Sequence, residues 1–360
     1  NKWAAAYPTD YTGINGGKYY YPNYINSTLN NDDTLHGSHV AGIIAANIDG
    51  SGNMGVAGVN TKIYAVRWDL LSDLTDVDLA NGEDGVSSAD IWKNMVALNL
   101  SAGSIASDTI NASHAASSIE SVDQNLFEKL LNNQTVTANN KIDGTILVKA
   151  AGNEEYAQPD LMSGLKLNEK YKDLLMTVVV SVDVSLDDNH LVTDYKLSSF
   201  SNRCGVTSGY CLAAPGGNYN KEENLAKYMW SVGETGNSEH EYEKMMGTSM
   251  AAPVVTGAIA FLKGAYDYMS GEEIIDLMMT TANKNASDYS AEKYGAGLLD
   301  LGAAVSTYVP QNGVLSTFGG SSVNSERINL SAAHLNVPSV MKSAMQKALP
   351  QNITIFDKYN

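Results

Sequence analysis

A single α/β domain built on a mostly parallel sheet is the fold class this 360-residue sequence predicts. Two observations carry that expectation. Short apolar runs of strand length alternate with stretches of helical periodicity. The runs are also continuous rather than alternating polar with apolar, as expected of strands covered on both faces by helices. The composition allows such a core: 44% of residues are hydrophobic and 18% charged, a balance that excludes a disordered chain.

In order, the strand-like runs are Ile63–Arg67, Ala97–Leu100, Gly144–Ala150, Met176–Val182 and Cys211–Ala214. The helical patterns are Val40–Ile48, Leu126–Asn132, Val254–Ala265 and Glu272–Ala282. Ser270 stands three residues before Glu273, the spacing of a capping box, and marks the start of the last of these. The α/β rhythm runs through residues 1–307. Residues 308–360 lose it and are expected to form a C-terminal extension, a connector to something beyond this chain. No repeats or low-complexity tracts occur. The apolar stretches, such as Ala251–Leu262, are too short to span a membrane, and Asn1-Lys2-Trp3-Ala4 is not a signal peptide. If the protein is secreted, its signal has been removed.

The formal net charge is −17 and the sequence pI about 4.6. Such a surface repels phosphate backbones, so nucleic acid is excluded as an expected partner. Residues 69–90 hold seven acids and no base, which reads first as a solvated surface loop. Structural calcium is the alternative there, without the ligand spacing of an EF-hand. Cys204 and Cys211 have six residues between them. Two free thiols are one reading, and a zinc site would need two further ligands with no histidine nearby. A local disulfide is favoured, since two glycines and a serine let the loop close.

Three segments carry chemistry. Gly247-Thr248-Ser249-Met250-Ala251-Ala252-Pro253 sets a serine among small residues at the start of an apolar helix, where unpaired N–H groups point toward developing negative charge. A simple helix N-cap explains Ser249 equally well when it is taken alone. His36-Gly37-Ser38-His39-Val40-Ala41-Gly42 puts a histidine ahead of a small-residue helix, and an imidazole suits a general base. His36 and His39 also share one helical face, but a metal pair there lacks a third ligand. Val148-Lys149-Ala150-Ala151-Gly152-Asn153-Glu154 ends a strand with an asparagine whose amide can donate to an oxyanion.

Taken together and in this order, these segments resemble the subtilases, the subtilisin-like serine proteases. His36–Gly42 is similar to the family's histidine block and Ala150–Glu154 to its oxyanion-asparagine block. Gly247–Pro253 matches its serine block residue for residue. Leu98–Gly103 resembles the strand that pairs with substrate backbone. Ser199–Asn202 and Ala213–Gly216 resemble later strands, and Tyr294–Asp300 the closing segment. The resemblance covers about residues 1–305. It implies a three-layer subtilisin-like fold around a central, mostly parallel sheet. It further implies a serine endopeptidase acting through an acyl-enzyme. Ser249 would be the nucleophile and His36 the general base, with Asn153 and the Ser249 N–H holding the oxyanion. Ser101, Ala102, Gly103, Ala150, Ala151 and Gly152 would form the two sides of the primary specificity pocket, with a peptide lying as an added strand. No metal or other cofactor is required.

The cysteine loop, followed by Leu-Ala-Ala-Pro-Gly, and the terminal Ile-Phe-Asp-Lys-Tyr resemble the passenger domains of bacterial autotransporters. That implies a cell-surface or extracellular monomer acting on proteins or peptides, and a C-terminal β-barrel translocator absent from this chain. One expected element is not found. The aspartate that orients the histidine should end an apolar strand, yet Tyr11-Thr12-Gly13 passes straight to Ile14-Asn15-Gly16-Gly17. Asp10 follows a poor strand containing Pro8, and Asp32 sits only four residues before His36, so both are weakly placed. The expectation is that this segment is missing between Gly13 and Pro22. The alternative function is a subtilase-fold surface protein that binds without cutting.

Overall fold

The computed structural model describes residues 36–46, 53–58, 61–63, 92–103, 124–220, 224–233 and 242–305, with short strands at 314–316, 322–324, 328–329 and 352–353. It divides into two compact units, Asn1–Leu301 and Gly302–Asn360. In the second, Val314–Ser316 pairs with Ser322–Asn324 and Ile328–Asn329 with Asn352–Ile353, both antiparallel.

The first unit begins, among its described residues, with helix α1 (His36–Ala45), strand β1 (Ala97–Leu100) and helix α2 (Gln124–Asn132). A two-residue-per-strand hairpin, β2 (Thr135–Val136) and β3 (Ile142–Asp143), leads into β4 (Ile146–Ala150). Then come β5 (Met176–Leu186), β6 (Val192–Leu197) and β7 (Cys211–Pro215). Two antiparallel hairpins follow, β8 (Asn218–Asn220) with β9 (Leu225–Lys227) and β10 (Met229–Val232) with β11 (Tyr242–Met245). Helices α3 (Thr248–Ala265) and α4 (Gly271–Thr281) complete the frame.

β1 runs parallel to β4, β4 to β5 and β5 to β7, while β6 turns back antiparallel along the far end of β5. The expected α/β architecture with a mostly parallel sheet is therefore present. Successive side chains on a strand face opposite ways, so each central strand serves two layers. Leu147 and Ala151 on one face, with Met176, Val178 and Val180 of β5, join Leu126, Phe127 and Leu130 of α2 in one buried cluster. Ile146, Val148, Ala150 and Val179, also buried, fall on the other face, against which α3 packs. Each fully buried Val or Leu contributes on the order of 1.5–3 kcal/mol.

The apolar runs at 97–100, 176–182 and 211–214 lie in strands, the run at 144–150 does so from Ile146 on, and the capping box at Ser270 and Glu273 is formed in both directions. Several details differ from the sequence expectation, among them that α1 starts at His36, four residues before Val40. Helix α3 starts six residues before Val254 and runs through Pro253, whose missing N–H is offset at the Ser249 carbonyl by Ser101 Oγ. Ser199–Asn202 forms a turn rather than a strand, its backbone diverted by side-chain partners such as Asn218 Oδ1, which accepts from Ser199 N–H. Ile63 is not in a strand, and the rest of the 63–67 run lies outside the described residues, as do the 69–90 segment, Asp10, Asp32 and the Gly13–Pro22 junction.

Cys204 and Cys211 form a disulfide across the short helical turn Gly205–Tyr210, with Cα atoms 5.8 Å apart, resolving the alternatives in favour of the local bridge. Both cysteines are fully buried. Closing so short a loop contributes about 2–3 kcal/mol through unfolded-state entropy. Reduction under denaturing conditions followed by refolding as the dithiol is therefore expected to lower the melting temperature by several degrees. Any activity at a lower temperature should stay near that of the oxidised protein. Differential scanning calorimetry of the two forms checks this.

Candidate active site

The sheet brings two of the sequence-predicted segments side by side. Leu100 pairs with Lys149 across β1 and β4, so residues 101–103 and 150–152 leave adjacent parallel strands at the same carboxyl edge. Ser101, Ala102, Ala150, Ala151 and Gly152 are buried, whereas Gly103 is exposed and a Cβ added there would meet nothing within 4 Å. Gly152 has φ +105°, and a Cβ on it would lie 2.4 Å from Asn202 Nδ2, so this bend admits only glycine.

Asn153 follows that bend and is exposed. Its Oδ1 accepts the backbone N–H of Thr248 at 2.8 Å and the Thr248 hydroxyl at 3.0 Å. A backbone N–H can only donate, so Oδ1 must face Thr248 and the Nδ2 protons must face away from it. The Thr248 hydroxyl in turn accepts from Gly152 N–H at 3.2 Å. The first turn of α3 and the end of β4 are thereby locked together across 95 positions of sequence.

Ser249, half-buried, is the second residue of α3. Pro253 lies four positions on and has no N–H, so the carbonyl of Ser249 lacks its normal helical donor. Ser101 Oγ supplies one instead, donating to Ser249 O at 2.8 Å, and the Ser249 hydroxyl points back to Ser101 O at 3.4 Å. Ser101 Oγ is itself held by Asn99 Nδ2 at 2.9 Å, and Asn99 Oδ1 accepts from Thr256 Oγ1 at 2.8 Å. The sequence patterns did not single out Thr248, Asn99, Thr256 or Asn202. Each has a partner 46 to 157 residues away, although Thr248, Asn99 and Asn202 do fall within matched motifs.

His36 opens α1 and is half-buried. Val40, Ile43 and Ile44 of α1 share a buried cluster with Met250 of α3, the residue after Ser249, so the helices headed by His36 and Ser249 pack on one another. Gly42 allows β10 to approach, since a Cβ there would stand 2.3 Å from Ser231 Oγ. His39 is fully buried, and its Nε2–H is shared between the carbonyls of Met229 and Glu243, each at 3.1 Å. Burial pushes this imidazole below its usual range, and the carbonyl bonds oppose that more weakly. The other ring nitrogen, Nδ1, is buried with no hydrogen-bond partner among the described residues.

Comparison with known proteins follows the same lines. A family model described as the subtilase family matches residues 11–297. Serotype-specific antigen 1 of Mannheimia haemolytica is 33% identical over 167 residues, 46% of this chain and 16% of that protein. The Neisserial autotransporter lipoprotein NalP of Neisseria meningitidis serogroup B is 31% identical over 166 residues, 44% of this chain and 14% of that protein. An extracellular serine protease of Serratia marcescens is 30% identical over 172 residues, 45% of this chain and 16% of that protein. The matched stretch thus spans only about one-sixth of each of these relatives.

Proposed function

The chain belongs to the subtilase family, and on that premise we propose that it is a serine endopeptidase with Ser249 as nucleophile and His36 as general base. In the proposed reaction His36 takes the hydroxyl proton as Ser249 Oγ attacks a peptide carbonyl. The proton passes to the leaving amine, and water then releases the acyl group from Ser249. Asn153 Nδ2 and the Ser249 N–H would stabilise the oxyanion. Residues 101–103 and 150–152 would flank the side chain preceding the cut, with substrate backbone added as a strand. The observation that supports this best is the capture of Asn153 Oδ1 by the N–H and hydroxyl of Thr248, the residue before Ser249, which turns the amide donor away from Thr248.

The same proposal covers setting and partners. Similarity to a protein named an autotransporter and to one named an extracellular protease supports action outside the cell or on its surface. The substrates would be proteins or peptides, and residues 308–360 would lead toward a translocator barrel. A monomer without a required cofactor suffices for this chemistry, and the net charge of −17 disfavours nucleic acid as a partner. A fluorophosphonate probe tests the reading on the intact protein. One adduct is expected, mapping to the peptide containing Gly247–Pro253, with peptide hydrolysis insensitive to chelator. Absence of an adduct on folded protein would remove the serine mechanism, and chelator-sensitive hydrolysis without unfolding would point to a metal.

A further inference from the structure

Lys149 is the anomaly of the central sheet. It occupies a strand in which all five residues are buried, with Leu100 and Val178 beside it on the flanking strands. Its side chain is 0% exposed, and its partner Asp160 is 1% exposed. The ammonium donates to Asp160 Oδ2 at 2.6 Å and to the carbonyl of Ala150 at 2.6 Å. The other carboxylate oxygen of Asp160 accepts from Ser163 N–H and Ser163 Oγ at 2.9 and 2.8 Å. A methionine or leucine would fill this site without the cost of removing two charges from water, so the pair is not explained by stability.

What the pair does hold is the end of β4. Lys149 Nζ fixes the Ala150 carbonyl, and the Asp160 N–H donates to the Ala151 carbonyl at 2.8 Å. Asn202 completes the clamp, its Nδ2 reaching Ala151 O at 3.1 Å and its N–H reaching Gly152 O at 3.0 Å. Three successive carbonyls are thus pinned immediately before Asn153. We propose that Lys149 and Asp160 are positioning residues for the oxyanion site, setting the direction in which Asn153 leaves the strand. This rests on the peptidase reading given above.

The test is a double variant, Lys149→Met with Asp160→Asn, which removes both charges together and keeps the Asp160 cap geometry. It is placed in the parent protein and in an Asn153→Ala background. In the parent, kcat is expected to fall about 10- to 100-fold with KM changed by no more than about 2-fold, the scale of a small misplacement of a catalytic group. With Asn153 already removed, the same pair of changes should alter kcat by less than about 2-fold, because the effect runs through that side chain. Unchanged kcat in the folded double variant overturns the proposal, as does a loss that persists in full without Asn153. Should the double variant fail to fold, Lys149→Gln with Asp160→Asn, which is also neutral but keeps hydrogen-bonding groups at both positions, is read by the same cycle and the same two criteria. A parent protein that is folded but hydrolyses no peptide removes the peptidase reading, and this inference with it. An active parent with an unaffected variant removes only the role of the pair.

Discussion

Ser249→Ala is expected to eliminate both peptide hydrolysis and fluorophosphonate labelling while the protein remains folded. The substitution removes one hydroxyl whose bond to Ser101 O, at 3.4 Å, is long, whereas the short bond from Ser101 Oγ goes to the Ser249 backbone and survives. Stability should therefore change little, and thermal melts of parent and variant should nearly superimpose. The loss in kcat should be on the order of a millionfold, a magnitude carried over from other members of this family. Hydrolysis of a peptide panel and intact-mass analysis of the labelled protein measure it. Parent-level hydrolysis by the variant would rule out Ser249 as the nucleophile. A folded parent that neither cuts nor labels would favour a binding protein on the same fold.

The second large effect belongs to Asn153. Asn153→Ala deletes the outward amide and also leaves the Thr248 N–H and hydroxyl without the oxygen they share. Turnover is expected to drop by roughly 100- to 1000-fold with little change in KM, again a range familiar from oxyanion donors in this family. Asn153 is exposed, so water can take over the bonds to Thr248 and the fold should be retained. Asn153→Asp provides the sharper comparison. It keeps an acceptor toward Thr248 but replaces the outward donor with a negative oxygen, so it should be at least as slow as alanine. Steady-state kinetics on one peptide, with melting temperatures alongside, decides the matter. A variant aspartate as fast as the parent would mean that Asn153 acts through Thr248 and not as a donor.

The parts of this molecule that were legible in sequence are those set by local burial. β4, the first seven residues of β5 and most of β7 are buried and mainly apolar because helices cover both faces, and the capping box of α4 is written in residues three apart. The sheet order was less accessible, since nothing in β5 announces that it pairs with β4 along its first half, β7 at its middle and β6 at its end. The site divides in the same way. His36, Asn153 and Ser249 each stand at the edge of an element and inside a motif. The groups that aim them are ordinary polar residues until the chain folds, as with Asn99 and Thr256, 157 residues apart. Lys149 was hidden for the opposite reason: inside an apolar run it looks like a strand residue, and only Asp160 gives it meaning. The aspartate expected beside the histidine has no strand of its own in the sequence, and its weak candidates, Asp10 and Asp32, lie outside the described residues.

Pro253 gives the serine helix an unusual mechanical allegiance. Because it withholds an N–H, the carbonyl of Ser249 is tied to Ser101, on the strand edge where a substrate would lie, rather than to its own helix. On the mechanism proposed above, an incoming chain that displaced that edge would pull on the backbone of Ser249 through this bond. The serine helix is thereby coupled to the β1 edge by one hydroxyl, as it is to the β4 edge by the bonds between Asn153 and Thr248.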